Sequence, residues 1–281
     1  MRNLAEQSPN QVLPALMRAI DVNNPGPDSE LQFVEIPLPT PSAQQVLVKV
    51  AAAGVNRADL AQRAGVYPPP PGESPVLGLE VSGTVVAVGS KADRSLMGKK
   101  VFGLVPGGGY AEYAVLHQDH LLFQPDSLSD AAAAATAEVF LTAFQAMMQI
   151  GGLTPEGAVL LHAGASGVGT AGIQLAKQVG AMVAVTVGTD AKAQDCYALG
   201  ADICINYKTQ DFVSELHTVR PQGFDVIVDP VAAEHRGGPA GVNQRDLLRR
   251  RDDHHPVDGK VLHQGQVDVA GARRHVDDQD V

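Results

Sequence analysis

The chain has 281 residues, which predicts two domains and enough length for a substantial core. Its formal net charge of −10 argues against nucleic acid or an anionic membrane as a partner. The two cysteines provide neither a disulfide framework nor zinc-ligand spacing, and the N-terminal MRNLAEQSPNQV lacks the apolar core of a secretory signal. Because no uninterrupted apolar run approaches the length of a membrane span, we expect a cytoplasmic, reducing location.

The first part of the chain, up to about residue 124, is rich in predicted strands. Alternating or β-branched runs predict strands at Val46–Val50, Val81–Val88 and Lys100–Leu104. Proline and glycine clusters, at Tyr67–Gly72 and Pro106–Gly109, separate them. Helix-capping residues at Ser127–Asp130 then precede an alanine-rich stretch, which predicts a helix running towards Ile150.

A glycine-spaced turn follows at the most informative point of the sequence. The apolar run Ala158–Leu161 enters AGASGVG, and the following GTAGIQLAKQVG has apolar residues at helical spacing. This strand–turn–helix pattern predicts a dinucleotide-binding unit in which Gly164 allows the turn, Gly167 admits a pyrophosphate and Gly169 permits close packing. The phosphates would meet the N–H groups at the helix N-terminus, including those of Ala165, Ser166 and Val168. The alternative is a plain glycine turn.

The end of the next strand carries information about the cofactor. The buried run Ala181–Val187 ends at Gly188, where an NAD-specific site would place a carboxylate on the ribose. A glycine leaves room for a 2′-phosphate, which Thr189 and Lys192 would bind and neutralise. The sequence therefore favours NADPH. Two alternatives remain: Lys192 is an ordinary solvated lysine, or a shifted register brings Asp190 to the ribose.

Five segments together resemble the medium-chain dehydrogenase/reductase superfamily, and within it the zinc-independent NADPH:quinone oxidoreductases of the zeta-crystallin and tumour-suppressor-inducible type. They occur in the family's order, and they are VNRADLAQRAGVYPPPPG (Val55–Gly72), LGLEVSGTV (Leu77–Val85), EVFLTAFQ (Glu138–Gln145), HAGASGVGTAGIQLAK (His162–Lys177) and INYK (Ile205–Lys208). The resemblance implies an α/β fold with a β-rich GroES-like catalytic domain at residues 1–143. An incomplete Rossmann domain that binds NADPH would follow at residues 144–234.

The resemblance also bears on metal. Zinc-dependent members hold zinc through a cysteine, the histidine of a Gly-His-Glu segment and a second cysteine. The matching positions here are Asn56, Leu79 in Gly78-Leu79-Glu80, and Glu138. Because leucine cannot donate to zinc, we expect no catalytic metal. Without a metal, the expected substrate is a quinone or an enone, because conjugation delocalises the negative charge that develops on its oxygen when it accepts a hydride.

Roles for individual side chains are implied by the resemblance. Asn56 would contact the nicotinamide side, and Tyr67 would donate a hydrogen bond to a quinone oxygen unless it only packs on the prolines that follow it. Thr142 would approach the nicotinamide ribose, or else bond to its own helix. Tyr207, with Lys208, would contact the adenine and phosphate side, the alternative being a core tyrosine. We interpret His162 as structural.

The family pattern ends near residue 234. Residues 235–281 contain 7 Arg and 1 Lys, 8 Asp, 5 His and only 13 apolar residues, with no Glu, Ile, Met, Phe or Tyr. This usage resembles a shifted reading frame, the alternatives being a natural disordered tail or a metal site at His254-His255. We expect residues 235–281 to be largely disordered, and the sheet edge and the family's dimer interface to be left incomplete. The function expected is therefore NADPH-dependent reduction of quinones. The alternatives are an enoyl-thioester reductase of the same superfamily and an inactive truncated product.

Overall fold

The structure is a computed structural model that describes residues 6–7, 12–231 and 260–263. The chain divides into two compact units between Glu138 and Val139, and each unit has its own core. The boundary predicted from the sequence, after residue 143, lies five residues further along the chain.

The first unit is built on antiparallel strands. Its largest sheet has six strands, ordered β7-β4-β5-β6-β8, with β1 paired to β5, and β2 and β3 form a separate two-stranded ribbon. The strands are β1 (Glu6–Gln7), β2 (Leu16–Asn23), β3 (Glu30–Pro37), β4 (Gln45–Ala53), β5 (Glu80–Val88), β6 (Lys100–Leu104), β7 (Tyr113–His117) and β8 (Leu122–Phe123). One short helix, α1 (Arg57–Arg63), follows β4, and single 3₁₀ turns occupy Arg94–Leu96 and Gln118–His120.

Successive buried residues of β4 join different apolar clusters, on opposite faces of the sheet. Val46 and Val48 of β4 join Val85 and Val88 of β5 in one cluster, whereas Leu47 joins another, as expected for side chains with a period of two. Register shifts between Leu47 and Val48 mark a local irregularity in the β4–β5 pairing. The three strands predicted in this unit are present with nearly the predicted bounds.

The predicted alanine-rich helix is interrupted. The segment forms α2 (Asp130–Ala134), α3 (Ala137–Phe144) and a π-helical turn (Gln145–Ile150). Ser129 caps α2, since its hydroxyl accepts from the Ala132 N–H at 3.2 Å. Within the described residues, the stretch Asp130–Ile150 is by length and composition sufficient to cross a membrane, although a third of its most apolar window is buried in the fold. Core helices of globular domains meet the same criterion.

The second unit is a parallel sheet with helices on both faces. The strand order is β11-β10-β9-β12-β13, and every pairing is parallel. The elements are β9 (Ala158–Leu161), α4 (Gly167–Val179), β10 (Met182–Val187), α5 (Asp190–Ala198), β11 (Ile203–Asn206), α6 (Phe212–Val219), β12 (Val226–Asp229) and β13 (Lys260–His263). The predicted order of strand, glycine turn, helix and strand is therefore present.

The central strands are buried on both faces, as parallel sheets require. Val159 and Leu161 of β9 join the cluster that contains α4 and α5, whereas Ala158 and Leu160 join the opposite cluster with Leu216 of α6. Glycine ends α4: Gly180 has φ 88° and caps the helix in the left-handed conformation.

Part of the expected tail departs from the sequence prediction. Lys260–His263 forms β13, which pairs in parallel with β12, so the outer edge of β12 is covered rather than open. The short run around Val261 and Leu262 has the β-branched, apolar character of a strand but is too brief to show a period. The other residues of 235–281 lie outside the described residues. The predictions of disorder in this segment and of a metal site at His254-His255 therefore concern residues that the structure does not describe.

Candidate functional site

The glycine turn lies at the carboxyl end of β9, where ligands bind in open parallel sheets. The sharp bend is made by Ala163, whose φ is 54°, and the Ser166 N–H donates to the Ala163 carbonyl at 2.8 Å. Ser166 then caps α4, because its hydroxyl accepts from the Gly169 N–H at 3.1 Å. The predicted turn is thus formed, although its left-handed residue is an alanine and not Gly164.

Each glycine of the turn is explained by packing. A Cβ on Gly164 would lie 2.5 Å from the Val185 Cβ of β10, and one on Gly169 would overlap the carbonyls of Ala163 and Gly164. Gly169 therefore lets the start of α4 pack closely on the turn that precedes it, rather than on strand β9. A Cβ on Gly167 would lie 2.8 Å from Val139 Cγ1, so contact with α3 is sufficient to require glycine there.

The first turn of α4 offers unpaired donors. Gly167 is exposed and Val168 is half-buried, and neither N–H donates to any described residue. Two free N–H groups at the positive end of a 13-residue helix form an anion-binding arrangement. This is the arrangement that a dinucleotide's phosphates require.

A second group of residues meets at the adjoining ends of β10 and β11. A Cβ on Gly188 would lie 3.1 Å from the Tyr207 hydroxyl oxygen and 3.6 Å from Lys208 Cε. Tyr207 and Lys208 are both exposed, and the Lys208 ammonium contacts no described acceptor. The structure therefore brings Gly188, Tyr207 and Lys208 together in one cradle at the ends of β10 and β11.

Thr189, Lys192 and Asp190 occupy the start of α5. The Thr189 hydroxyl accepts from the Lys192 N–H at 3.3 Å and so caps the helix, while the Lys192 side chain is exposed. Asp190 accepts a hydrogen bond from Nδ2 of the buried Asn206 at 2.7 Å. The Asp190 carboxylate is thus committed to Asn206.

Two further residues of this unit were considered in the sequence. His162 is buried, and its Nδ1 lies 2.8 Å from the Thr186 hydroxyl, with the Phe212 ring edge-on at 5.5 Å. This packing agrees with a structural role. Thr142 lies half-buried on α3.

In the first unit, Asn56 belongs to a hydrogen-bonded network. It begins α1, and its backbone N–H donates to Asp59 Oδ2 at 2.7 Å, a helix-start arrangement between residues three apart. Asp59 also accepts from the Gly78 N–H at 3.1 Å and from the Tyr110 hydroxyl at 2.9 Å. The side chain of Asn56 turns the other way, and Nδ2 donates to Glu80 Oε1 at 2.9 Å.

Two buried carboxylates dominate the electrostatics of this network. Burial raises the pKa of Glu80 above its ordinary value, although hydrogen bonds from the Glu138 N–H and the Asn56 amide act in the opposite direction. Burial and the adjacent Asp59 carboxylate raise the pKa of Tyr110, so its hydroxyl stays a donor. The sequence analysis missed Asp59, Glu80 and Tyr110 as site residues. The three-residue spacing of Asn56 and Asp59 was the available signal for the first.

Two of the three positions matched to zinc ligands, Asn56 and Glu138, bond to Glu80 in the same network. Glu80 Oε2 accepts from the Glu138 N–H at 2.9 Å while Oε1 binds Asn56, and Leu79 provides only an aliphatic side chain. In the described part of the chain, no three His, Cys, Asp or Glu side chains are arranged to hold a metal ion. Tyr67 lies beyond α1 and is 41% exposed.

Comparison with known proteins agrees with both units. Residues 42–126 match the alcohol dehydrogenase GroES-like domain, and residues 167–236 match the zinc-binding dehydrogenase family. A quinone oxidoreductase from Pongo abelii is 32% identical over 92% of this chain and 74% of its own length. The quinone oxidoreductase of Escherichia coli complexed with NADPH is 28% identical, with TM-score 0.70 over 88% of this chain and 79% of that one.

Other relatives are larger or carry other names. A phenolphthiocerol/phthiocerol polyketide synthase of Mycobacterium tuberculosis is 33% identical over 76% of this chain, which spans only 10% of that protein. The synaptic vesicle membrane protein VAT-1 homolog of Danio rerio is 32% identical over 71% of this chain and 42% of its own length. The CurK enoyl reductase structure is 25% identical, with TM-score 0.76 over 89% of this chain and 74% of that one.

A GroES-like unit followed by a Rossmann-like nucleotide unit defines an oxidoreductase of the type that binds a nicotinamide dinucleotide. The chain belongs to the medium-chain dehydrogenase/reductase superfamily, among its quinone oxidoreductases.

Proposed function

We propose that this chain reduces quinones or related conjugated carbonyls with NADPH, by hydride transfer and without a metal. The observation that carries the proposal is the cradle of Gly188, Tyr207 and Lys208 at the ends of β10 and β11. A strand-end carboxylate would repel a 2′-phosphate, whereas this cradle has none and offers a phenol and an ammonium. A Cβ at Gly188 would narrow the space against Tyr207.

The residues of the second unit fit a dinucleotide phosphate. The free N–H groups of Gly167 and Val168 would hold the pyrophosphate at the N-terminus of α4, with Ala165 and Ser166 forming the bend beneath it. Lys208, with Thr189 and Lys192, would neutralise the 2′-phosphate. Thr142 remains a proposed contact to the nicotinamide ribose. When bound, the reduced nicotinamide supplies the hydride.

The first unit provides the proposed substrate groups. Tyr67 would donate its hydroxyl hydrogen to a quinone oxygen, and Asn56 would contact the nicotinamide side. Leu79 cannot bind a metal ion that would polarise the carbonyl group of a plain ketone. This favours a hydride acceptor whose conjugation already delocalises the negative charge. A small-molecule substrate agrees with the similarity to quinone oxidoreductases. A cytoplasmic location and loss of the family's dimer interface remain expectations from the sequence.

A second candidate is reduction of an enoyl thioester. The similarity to the CurK enoyl reductase and to a polyketide synthase favours it, since the same cofactor site serves a conjugated thioester.

Steady-state NADPH consumption distinguishes these functions. The full chain is assayed with a quinone and with a short enoyl thioester, and Lys208→Met serves as a variant with an impaired cradle. We expect turnover of the quinone at the higher kcat/KM, with a raised KM for NADPH in Lys208→Met. A higher kcat/KM for the thioester supports the second candidate. No consumption with either acceptor, despite tight NADPH binding, indicates the inactive product.

A further inference from the structure

The buried side chain of Asn206 joins two segments of the chain that border the cradle. Asn206 is the last residue of β11, and it lies directly before Tyr207 and Lys208. Its amide nitrogen Nδ2 donates to Asp190 Oδ1 at 2.7 Å, and Asp190 begins α5. Its amide oxygen Oδ1 accepts from the Lys208 N–H at 3.2 Å. One side chain therefore connects the start of α5 with the turn that follows β11.

The neighbours of Asn206 fix both ends of its amide. A carboxylate accepts hydrogen bonds, so Asp190 requires the amide nitrogen, and a backbone N–H only donates, so Lys208 requires the amide oxygen. Among side chains of similar size, that of aspartate lacks the donor and that of leucine lacks both groups. The pair of bonds therefore requires an amide at this position.

The backbone of Asn206 shapes the same turn. Its N–H donates to Gln210 Oε1 at 3.2 Å, and its carbonyl oxygen accepts from the Thr209 N–H at 3.1 Å and from the Gln210 N–H at 3.0 Å. The Tyr207 N–H donates to the Val187 carbonyl at 3.1 Å, which ties the turn to the end of β10. These bonds hold the turn on the sheet, and the side chain of Asn206 adds the connection to α5.

We propose that Asn206 is a positioning residue for the cradle, which holds the start of α5 and the turn after β11 at the spacing that a 2′-phosphate requires. The cationic groups proposed for that phosphate lie on both segments, Lys192 on α5 and Lys208 on the turn. The bond to Nδ2 also engages the Asp190 carboxylate, which is exposed and would repel a phosphate if it turned towards one. The inference rests on the proposed function for its ligand, whereas the two bonds belong to the protein alone.

A double-mutant cycle tests the bonds without any ligand. Asn206→Asp sets two carboxylates against each other. The pair D190N/N206D exchanges amide and carboxylate and restores both bonds, because the new amide donates to the new carboxylate, which also accepts from the Lys208 N–H. In urea unfolding of the full chain, we expect N206D to raise the equilibrium constant for unfolding at least about tenfold more in the Asp190 background than in D190N. Additive effects of the two substitutions would overturn the proposed link.

The matched control for the added charge is Gln178→Glu. Gln178 is an exposed residue near the end of α4, whereas the proposed phosphate site lies at the beginning of that helix. We expect Q178E to change the equilibrium constant for unfolding by the same factor in the Asp190 and D190N backgrounds. A dependence on the background as large as that of N206D would show that charge alone causes the coupling, and it would overturn the link.

Calorimetric titration then tests the role in the cradle. The readout is the ratio of the Kd values for adenosine 5′-monophosphate and adenosine 2′,5′-bisphosphate, which a residue that only stabilises the fold would leave unchanged. Asn206→Leu removes both bonds without adding a charge, and it should lose at least about half of the bisphosphate preference on a logarithmic scale. N206D should lose it as well, and it is the second variant if N206L does not fold. The pair D190N/N206D should keep the preference.

The outcomes separate this inference from the proposed function. An unchanged ratio in the folded N206L and N206D variants overturns the positioning role, and so does loss of the preference in a pair whose stability is restored. Equal binding of the two fragments by the unaltered chain instead refutes the NADPH preference of the proposed function, and the positioning role then fails with it.

Discussion

The substitution Gly188→Asp should remove the preference for NADPH. Gly188 has no left-handed φ, so a side chain is compatible with the backbone, and its Cβ would sit 3.1 Å from the hydroxyl of Tyr207. Tyr207 is 43% exposed and has room to move by the few tenths of an ångström required. The new carboxylate would lie beside Lys208, whose Cε is 3.6 Å from that Cβ position. It would both pair with the Lys208 ammonium and repel a phosphate.

The size of the effect follows from the contact that is lost. One charge-assisted hydrogen bond to phosphate contributes about 1.5–3 kcal/mol, which corresponds to about a ten- to hundredfold weaker Kd for NADPH. NADH has no 2′-phosphate, and a carboxylate at this position binds its ribose hydroxyls, so NADH affinity should hold or improve. The ratio of the two Kd values therefore moves towards NADH.

Fluorescence titration of the full chain with each dinucleotide measures the two Kd values. Gly188→Ala is the matched control, because it adds the Cβ without the charge. We expect G188A to reduce binding of both dinucleotides by a similar, small factor. An unchanged Kd ratio in G188D, or an equal shift of the ratio in G188A, would refute the electrostatic reasoning.

Three further predictions concern the same two sites. Lys208→Met should weaken NADPH binding about tenfold or more while NADH binding is retained. Lys192→Met should have the smaller effect, because of the two lysines only Lys208 lies in the cradle. Equal losses of NADPH affinity in the two variants, measured by titration, would contradict this placement. The raised pKa of Glu80 means that its ionised form is disfavoured in the fold, so its stabilising contribution is greatest below the ordinary value of 4.5 and declines as pH rises through the folded pKa. As the pH rises from 4.5 through the folded pKa of Glu80, the free energy of unfolding of Glu80→Gln, measured in urea, should therefore rise relative to that of the unaltered chain. A difference between the two free energies that does not change with pH would contradict this prediction. Purified protein should contain no stoichiometric zinc by metal analysis, and one tightly held zinc per chain would overturn the expectation drawn from Leu79.

The nucleotide unit was largely predictable from local pattern. Strand, glycine turn and helix are adjacent in sequence, so the bounds of β9 and the end of α4 near Gly180 follow from hydrophobic period and capping alone. The position of Lys208 beside Gly188 was less accessible, because it depends on the parallel register of β10 with β11.

Other features depend on contacts that no local pattern encodes. The bond between Asn56 and Glu80 joins residues 24 apart, and the bond between Tyr110 and Asp59 joins residues 51 apart. Glu80 begins a buried strand, where an isolated carboxylate carries no periodic signal. The ribbon of β2 and β3 was also missed, since no side chain of β3 is fully buried and most are exposed. The alanine-rich segment is divided into α2, α3 and a π-helical turn, whereas helix propensity predicts one continuous helix.

The most direct test of the NADPH assignment compares two fragments that engage only the adenosine end. The full chain is titrated calorimetrically with adenosine 2′,5′-bisphosphate and with adenosine 5′-monophosphate. If the cradle of Gly188, Tyr207 and Lys208 binds a 2′-phosphate, the bisphosphate should bind at least about tenfold more tightly, as one charge-assisted contact requires. The difference should disappear in Gly188→Asp. Equal affinities for the two fragments in the unaltered chain would contradict the account.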